Sequence, residues 1–599
     1  MKKVISLFLF LLMVWNSSAK DFPKVILAGD YPDPSILRDG KDYYMTHSPF
    51  YYAPGFLIWH SQDLEHWELV CRAMAQWEGS AMAPDLVKYN NRYYIYYPAA
   101  GTNWVIWADD IRGPWSTPID LKVKGIDPGH VADAEGKRYL YLSEGKVVQL
   151  SDDGLSTVGE VKKVYDGWPY PRNWRTEGMY LESPKLNYHN GYYYLTSAEG
   201  GTAGPGTSHM VVTARSKSVL GPWENSPFNP LVHTYSERES WWSKGHGTLI
   251  DDVNGNWWVV YHAYAKDYHT LGRQTLIEPI EWTPDGWCRA KSTGTLPKTE
   301  APIPHGLELS DDFKGKVLGL QWTFWKEYAP KAVTLENQTL RLQAKGKTPA
   351  DGRLLLATAE DKNYETQVEV TVGKNNTAGL LLYYSEKAYA GLVSDGKTFT
   401  IYRHAGQKTE MPNTLGRQFT VRIKNQGNHV SILVGKAGKE WTTLAEGIDV
   451  SGMHHNAYKG FYALRIGLVS IGKGEAAFHR FRYKNAIPQE KDLSAYLMVF
   501  HKDETHGLYM ALSRDGYTFT ALNDGEPVLA GDTIAYQRGI RDPYIYRGPD
   551  GAFYLAMTDL HVFARRDGFR ETEWERDRNM YGWGNNKGLV LMKSWDLVN

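Results

Sequence analysis

The chain has 599 residues and a formal net charge of −1. This length exceeds what one hydrophobic core supports and predicts several domains. The nearly balanced charge argues against nucleic acid or an anionic membrane as the main partner. With 40 Tyr, 22 Trp and 57 Gly, the composition is typical of a turn-rich all-β protein whose exposed rings could pack on sugars.

Residues 1–19 have the pattern of a signal peptide. Lys2 and Lys3 precede an apolar run at residues 4–14 that is too short to span a bilayer, and the small residues 17–19 suit cleavage. We therefore expect an exported protein, either periplasmic or secreted. No later apolar run approaches 18 residues, so the sequence predicts no membrane span.

One hairpin pattern occurs five times between residues 30 and 265. The copy at residues 182–197, ESPKLNYHNGYYYLTS, shows its parts: a polar head, an Asn-Gly turn and a tyrosine-rich strand. The other copies are DYPDPSILRDGKDYYMTHS (30–48), APDLVKYNNRYYIYY (83–97), DPGHVADAEGKRYLYLS (127–143) and GHGTLIDDVNGNWWVVYH (245–262).

The spacing of these copies predicts a five-bladed β-propeller. Their polar heads are residues 33, 85, 127, 182 and 246, which lie 52, 42, 55 and 64 residues apart. Units of about 40–50 residues that consist of short hairpins are typical of propeller blades around a central channel. Because the innermost strand of each blade starts near the axis, we expect the five heads to converge at one end of the channel.

This convergence would bring together Asp33, Asp127 and Glu182. Two carboxyl groups across a glycosidic bond can hydrolyse it, and a third raises the pKa of the acid because like charges resist joint ionisation. The alternatives are structural: the Asp-Pro pairs could open turns, Glu182 could be a solvated strand end, and His246 could be a core histidine. Spacing alone does not assign a role to each carboxyl group. The sequence contains no competing HExxH or GxSxG motif.

Six motifs between residues 30 and 287 point to a known family: YPDPSILRDGKDYY, MAPDLVKY, GIDPGHVADAEGKRYL, ESPKLNYHNGYYYLTSAEGGT, KGHGTLIDDVNGNWWVVYH and LGRQTLIEPIEWTPDGW. By these motifs, residues 30–287 resemble the five-bladed propeller glycoside hydrolases of family 43. The resemblance implies that Asp33 is the general base, that Glu182 is the general acid and that Asp127 raises the pKa of Glu182 and orients it, in an inverting mechanism. It also implies that Arg273 and His246 contact substrate, and that His246 helps to hold an ion, usually calcium, in the channel.

The resemblance implies a hydrolase that removes terminal pentoses from plant hemicellulose such as xylan or arabinoxylan. A β-1,4-xylosidase is our first expectation, an α-L-arabinofuranosidase the alternative, and a non-catalytic glycan-binding protein the alternative of another class. Many family members have Trp before the Ala-Pro-Asp of blade two, where this chain has Met82. Trp77 or Trp104 could replace that wall, although each fits a blade core better.

We divide the chain into a signal peptide (1–19), a catalytic propeller (20–292), a β-sandwich (305–484) and a C-terminal segment (493–599). A proline-bearing stretch at residues 293–304 precedes the sandwich, whose alternating strands resemble the concanavalin-like domain of family 43 β-xylosidases. In that family, the domain packs on the propeller and can lend a loop to the active-site rim. A purely stabilising or glycan-binding module is the alternative, and we assign the sandwich no catalytic residue. The C-terminal segment repeats the first blade in RDPYIYRGPDGAFYLAMTDL (541–560), with Asp542 in the general-base position, and we interpret it as part of a second, incomplete propeller.

Overall fold

The structure is a computed structural model. It describes residues 22–76, 78–299, 301, 303–436, 439–486, 495–513, 516–548, 551–569, 571 and 588–597. The predicted signal peptide and Trp77 lie outside the described residues. The chain forms two compact units, one made of residues 1–423, 432–442 and 449–484, the other of residues 424–431, 443–448 and 485–599. No helix among the described residues is long and apolar enough to cross a membrane.

The described part of residues 22–290 folds into five antiparallel sheets, which confirms the predicted propeller. The sheet orders are β2-β3-β5-β6, β10-β9-β8-β7, β11-β12-β13-β14, β15-β16-β17-β18 with β19 on β17, and β1-β22-β21-β20 with β23 on β22. The strands are β1 (Lys24–Leu27), β2 (Ser35–Asp39), β3 (Asp42–Thr46), β4 (Tyr52–Ala53), β5 (Gly55–Ser61), β6 (Glu68–Met74), β7 (Asp85–Tyr89), β8 (Arg92–Ala99), β9 (Thr102–Ala108), β10 (Ile119–Asp120), β11 (Gly129–Ala132), β12 (Arg138–Leu142), β13 (Lys146–Leu150), β14 (Thr157–Lys163), β15 (Leu181–His189), β16 (Tyr192–Glu199), β17 (Met210–Ser216), β18 (Glu224–Asn225), β19 (Val232–His233), β20 (Trp241–Asp251), β21 (Trp257–Ala265), β22 (Arg273–Trp282) and β23 (Cys288–Ala290).

The inner strands close the ring. Strands β2, β7, β11, β15 and β20 contact one another in cyclic order, so the first and fifth blades are neighbours. The N-terminal strand β1 completes the fifth blade by pairing with β22, with Lys24 opposite Ile277. Apolar clusters fill the spaces between successive blades, as where Trp59 of the first blade and Trp258 of the fifth are buried together. This burial holds the blades around a common axis.

Turn residues set the register of the hairpins. His189 pairs with Tyr192, which leaves Asn190 and Gly191 as a two-residue loop in which both φ angles are positive. This is the conformation that Asn-Gly favours because it matches the twist of the flanking strands. The turn therefore fixes the register of β15 against β16 from His189 to Lys185, and the register shifts between Lys185 and Glu182.

Two stacked sheets form the predicted sandwich, in the orders β32-β31-β30-β29-β36-β27-β24-β4 and β25-β26-β37-β28-β33-β34-β35. The propeller strand β4 extends the first of them, since Ala53 pairs with Phe324. The elements are β24 (Thr323–Trp325), β25 (Val333–Glu336), β26 (Thr339–Gln343), β27 (Arg353–Ala357), β28 (Asn363–Thr371), β29 (Asn376–Ser385), β30 (Ala388–Ser394), β31 (Thr398–His404), β32 (Gln407–Pro412), β33 (Gln418–Gln426), β34 (His429–Lys436), β35 (Lys439–Asp449), the short helix α1 (His455–Tyr458), β36 (Arg465–Gly472) and β37 (Glu475–Asn485).

In the C-terminal segment, the described residues form two three-stranded sheets around a small core that includes Leu508, Ile540 and Met557. The elements are β38 (Tyr496–Lys502), β39 (Gly507–Ser513), β40 (Thr520–Ala521), the short helix α2 (Gly531–Ile534), β41 (Ile540–Arg547), β42 (Phe553–Asp559) and β43 (Leu589–Ser594). The four domain boundaries drawn from the sequence stay a prediction.

Candidate active site

The heads of four of the five inner strands carry a residue in the left-handed backbone conformation. Asp33 and Asp127 have φ of +56°, Ser183 next to Glu182 has +56°, and His246 has +55°. Residues other than glycine rarely adopt this left-handed conformation, and it is concentrated at functional sites. The same left-handed conformation thus recurs at the strand heads of four blades, where it brings polar side chains together at one end of the channel.

Asp33 is buried beside an arginine. Nη1 of Arg273 donates to Oδ1 of Asp33 at 2.7 Å, and Oγ of Ser48 donates to Oδ2 at 2.5 Å. The backbone N–H of Asp33 donates to Nδ1 of His262 at 3.1 Å, which fixes the turn. Burial opposes ionisation, but Arg273, His246 and His262 together outweigh it and hold the pKa of Asp33 well below its usual range. Asp33 is therefore a carboxylate near neutral pH.

Glu182 favours the opposite charge state. Its side chain is 20% exposed at the channel mouth, and Oε1 lies 3.3 Å from Nε2 of His209. Burial and the negative charge of Asp33 raise the pKa of Glu182 to about 7. Burial lowers the pKa of His209 to about 3, so this imidazole is neutral beside the carboxyl group. Glu182 can thus hold a proton near neutral pH.

Asp127 is buried close to Glu182. Its Oδ2 accepts the backbone N–H of Ser183 at 3.0 Å, a direct link to the residue after Glu182. Burial, followed by the charges of Glu182 and Asp33, raises the pKa of Asp127 well above its usual range. The two carboxyl groups consequently titrate as a pair, and ionisation of one disfavours ionisation of the other.

The head of the second blade does not take part. Asp85 binds Nζ of Lys185 at 2.8 Å, and both side chains are buried. The same Nζ donates to the carbonyls of Pro84 (2.9 Å) and Pro128 (3.2 Å), while Asp85 also accepts the N–H of His130. This buried pair has its hydrogen bonds satisfied and joins three inner strands, which makes it a structural link.

His246 lies near Asp33 but in a poor setting for calcium. Asp33, His246 and His262 offer ligand atoms within 4.8 Å of one another. Calcium takes six to eight oxygen ligands, whereas two of these three donors are imidazole nitrogens and the carboxylate already binds Arg273. The buried Nε2 of His246 has no hydrogen-bond partner among the described residues and could take one further ligand. These donors do not fit a calcium cage.

Sequence reasoning missed three side chains that hold the carboxyl groups: Ser48, His209 and His262. Ser48 and His262 lie at the ends of the first and fifth repeats. In an antiparallel hairpin, the end of the second strand lies beside the head of the first. That rule would have pointed to both residues. His209 immediately precedes β17, the third strand of its blade, and nothing in the repeat pattern singles it out.

The sandwich contributes to the rim, as the resemblance implied. The ring of Phe461 stacks on Phe50 at 6.2 Å, and both rings lie within 6 Å of the Arg273 guanidinium. Asn456 exchanges two hydrogen bonds of 3.0 Å with the backbone of Gly204. The sandwich segment that follows β35 thereby reaches the propeller beside the channel.

Two positions bear on the sugar pocket. Met82 is half-buried, and the next residue, Ala83, donates its N–H to Oγ of Ser48, the hydroxyl that contacts Asp33. Trp104 packs against the core between the first and second blades, and its Nε1 donates to the carbonyl of Ala99. Trp104 is therefore a core residue, as the sequence favoured, and Trp77 lies outside the described residues.

Asp542 repeats the local geometry of Asp33. Its φ is +50°, and its N–H donates to Nδ1 of His501 at 3.1 Å. Its side chain, however, is exposed, and the neighbouring Arg541 binds Asp503. The C-terminal unit reproduces the strand head without the buried surroundings.

A propeller channel with one stably ionised carboxylate and a protonatable carboxyl pair defines a glycoside hydrolase. Sequence models of known families agree: glycosyl hydrolases family 43 matches residues 22–288, the beta xylosidase C-terminal concanavalin A-like domain matches residues 310–484, and a probable glycosyl hydrolase domain matches residues 491–599.

Individual proteins extend this match. A non-reducing end alpha-L-arabinofuranosidase of Bacteroides ovatus is 29% identical over 80% of this chain and 97% of its own length. A xylan 1,3-beta-xylosidase of a Vibrio species is 30% identical over 61% of this chain and 77% of its own. The crystal structure of a family 43 protein from Bacillus licheniformis superposes with a TM-score of 0.70 at 27% identity, over 78% of this chain and 99% of that one. The chain belongs to glycoside hydrolase family 43.

Proposed function

We propose that this enzyme is exported and removes terminal pentose residues from plant hemicellulose, with β-1,4-linked xylose as the preferred sugar. Export is supported by the signal-peptide pattern of residues 1–19. Xylose is supported by the sandwich, because a model of the beta xylosidase C-terminal domain matches residues 310–484. The reaction type, hydrolysis of a glycosidic bond, is supported by the carboxyl groups of the site.

The single observation that carries the proposal is the opposite protonation of Asp33 and Glu182 in one channel. In the proposed reaction, Asp33 accepts a proton from water while the water oxygen bonds to the anomeric carbon. Glu182 gives its proton to the glycosidic oxygen as the bond from that oxygen to the anomeric carbon breaks. The released sugar has the inverted configuration, as a single displacement requires.

The other residues serve these two. Asp127 disfavours ionisation of Glu182 and, through the N–H of Ser183, holds the strand head that carries it. Arg273 keeps Asp33 ionised, and its guanidinium also lies beside the rings of Phe50 and Phe461, where substrate hydroxyl groups would enter. His246, whose Nε2 has no hydrogen-bond partner within the described ranges of the chain, is a candidate contact to the bound sugar.

An α-L-arabinofuranosidase is the second candidate. The arabinofuranosidase of Bacteroides ovatus aligns over 97% of its length, and Met82 replaces the aromatic wall that many family members have. Both activities would use the same carboxyl groups. The choice between them depends on the shape of the sugar pocket.

The test is hydrolysis of p-nitrophenyl β-D-xylopyranoside and p-nitrophenyl α-L-arabinofuranoside, together with NMR of the first product formed from xylobiose. We expect higher kcat/KM on the xyloside and α-xylose as the first anomer released. Activity on the arabinofuranoside alone would select the second candidate. Initial release of β-xylose would contradict the single displacement.

A further inference from the structure

The strand that carries Glu182 leads from the channel floor to the surface. Ser183 is fully buried, the Glu182 side chain is 20% exposed, Tyr180 is 50% exposed and Met179 is 84% exposed. The same stretch therefore holds the acid and, towards solvent, a half-exposed aromatic ring.

Tyr180 and Glu182 lie on one face of this strand. Leu181 pairs with Glu199 and Glu182 with Ala198, and Gly200 donates its N–H to the carbonyl of Tyr180, so the ladder continues to Tyr180. Side chains two residues apart in a strand point to the same side and lie about 7 Å from each other along it. The Tyr180 ring thus lies on the face of the strand that carries the Glu182 side chain, nearer to solvent.

The Tyr180 ring packs closely against two glycines, Gly178 and Gly201. A Cβ on Gly178 would lie 2.8 Å from Cε2 of the ring, and a Cβ on Gly201 would lie 2.8 Å from Cδ2. A side chain at either glycine would displace the ring. The backbone around it is fixed as well, because Glu177 donates its N–H to the carbonyl of Gly200 and accepts the N–H of Ala203. An exposed ring that is held in place can bind a ligand at little entropic cost.

We propose that Tyr180 forms the wall of the leaving-group subsite. Its ring would stack on the pyranose ring of the leaving sugar, whose glycosidic oxygen receives the proton from Glu182. This inference rests on the proposed function, because it takes Glu182 to be the acid beside the leaving oxygen. The apolar face of a pyranose packs on an aromatic ring, whose polar hydroxyl remains in water. The subsite would favour oligosaccharides over substrates with a small leaving group.

The test compares Tyr180→Ala, Tyr180→Phe and wild type on two substrates that share the transferred sugar: xylobiose and β-D-xylopyranosyl fluoride, or the arabinose equivalents if arabinose is released. Fluoride occupies no sugar subsite. For Tyr180→Ala we expect a loss of about tenfold in kcat/KM on the disaccharide and a change within about twofold on the fluoride. Tyr180→Phe keeps the ring and should match wild type on both.

Tyr188→Ala is the matched control, since Tyr188 is a 64% exposed tyrosine at the far end of the same strand; it should change neither rate. An equal loss on both substrates would overturn the subsite and indicate that Tyr180 acts by positioning Glu182. No loss on the disaccharide would overturn it too. A wild-type enzyme inactive on every pentoside would instead refute the proposed function, and the subsite with it.

Discussion

Asp33 in the propeller and Asp542 in the C-terminal unit have the same local geometry in different surroundings. Both have positive φ, and both donate their backbone N–H to Nδ1 of a histidine at 3.1 Å. Asp33 is buried and binds Arg273, whereas Asp542 is exposed. The Asp-Pro hairpin alone thus determines the strand head. The neighbouring blades of the ring supply the burial and charges that give a carboxylate a catalytic role.

We expect the largest effect on activity from substitution of Asp33, and none from the same substitution of Asp542. Asp33→Asn removes the proposed base and should lower kcat roughly 10²–10⁴-fold on p-nitrophenyl β-D-xylopyranoside. Asp542→Asn is the matched control and should leave kcat and KM unchanged, because its carboxylate has no acid partner among the described residues. A comparable loss in both variants would contradict the contrast between the two regions.

The ring also depends on the buried pair of Lys185 and Asp85. Lys185→Met leaves the Asp85 carboxylate buried without a cation and should lower the free energy of unfolding by about 3–5 kcal/mol. Chemical denaturation of wild type and Lys185→Met measures this difference in the free energy of unfolding. The control is Arg112→Met, which breaks an exposed ion pair with Asp110 and should leave the denaturation midpoint unchanged. Equal midpoints for both variants would show that the Lys185 pair does not hold the blades together.

The pH profile tests the carboxyl pair. Glu182 acts while protonated, so kcat/KM of the wild type should fall as the pH rises through about 7, the pKa to which burial and Asp33 raise this group. Asp127→Asn removes the carboxyl group that titrates as a pair with Glu182 and should move this alkaline limb to lower pH. The acidic limb belongs to Asp33, whose pKa is held well below its usual range, and its position should be the same in both proteins. An unmoved alkaline limb would argue against the modulating role of Asp127.

The smallest effect is expected from metal removal. The imidazole donors beside Asp33 do not suit calcium, so dialysis against EDTA should leave kcat/KM unchanged. Isothermal titration with calcium should likewise show no binding to the dialysed enzyme. Loss of activity that calcium restores would support the ion implied by the family resemblance and contradict our interpretation of these donors.

The sequence predicted what is local and repeated. The Asn-Gly turn, the tyrosine-rich strands and the regular spacing of the heads led to the five blades and to Asp33, Asp127 and Glu182. It did not predict contacts between residues far apart in the chain. Nothing in the repeat distinguishes Asp85 from Asp33, because only the folded ring brings Lys185 to one and Arg273 to the other. The placement of Phe461 likewise depends on how the sandwich packs on the propeller.

The most direct test of the central claim is the dependence of Glu182→Gln on the leaving group. If Glu182 is the general acid, this variant should lose roughly 10²–10⁴-fold in kcat on xylobiose but much less on β-D-xylopyranosyl fluoride, whose leaving group needs no proton. Binding of xylose, measured by calorimetry, should survive. Equal losses on the two substrates, or undiminished hydrolysis of xylobiose, would contradict the assignment of Glu182 and with it the proposed mechanism.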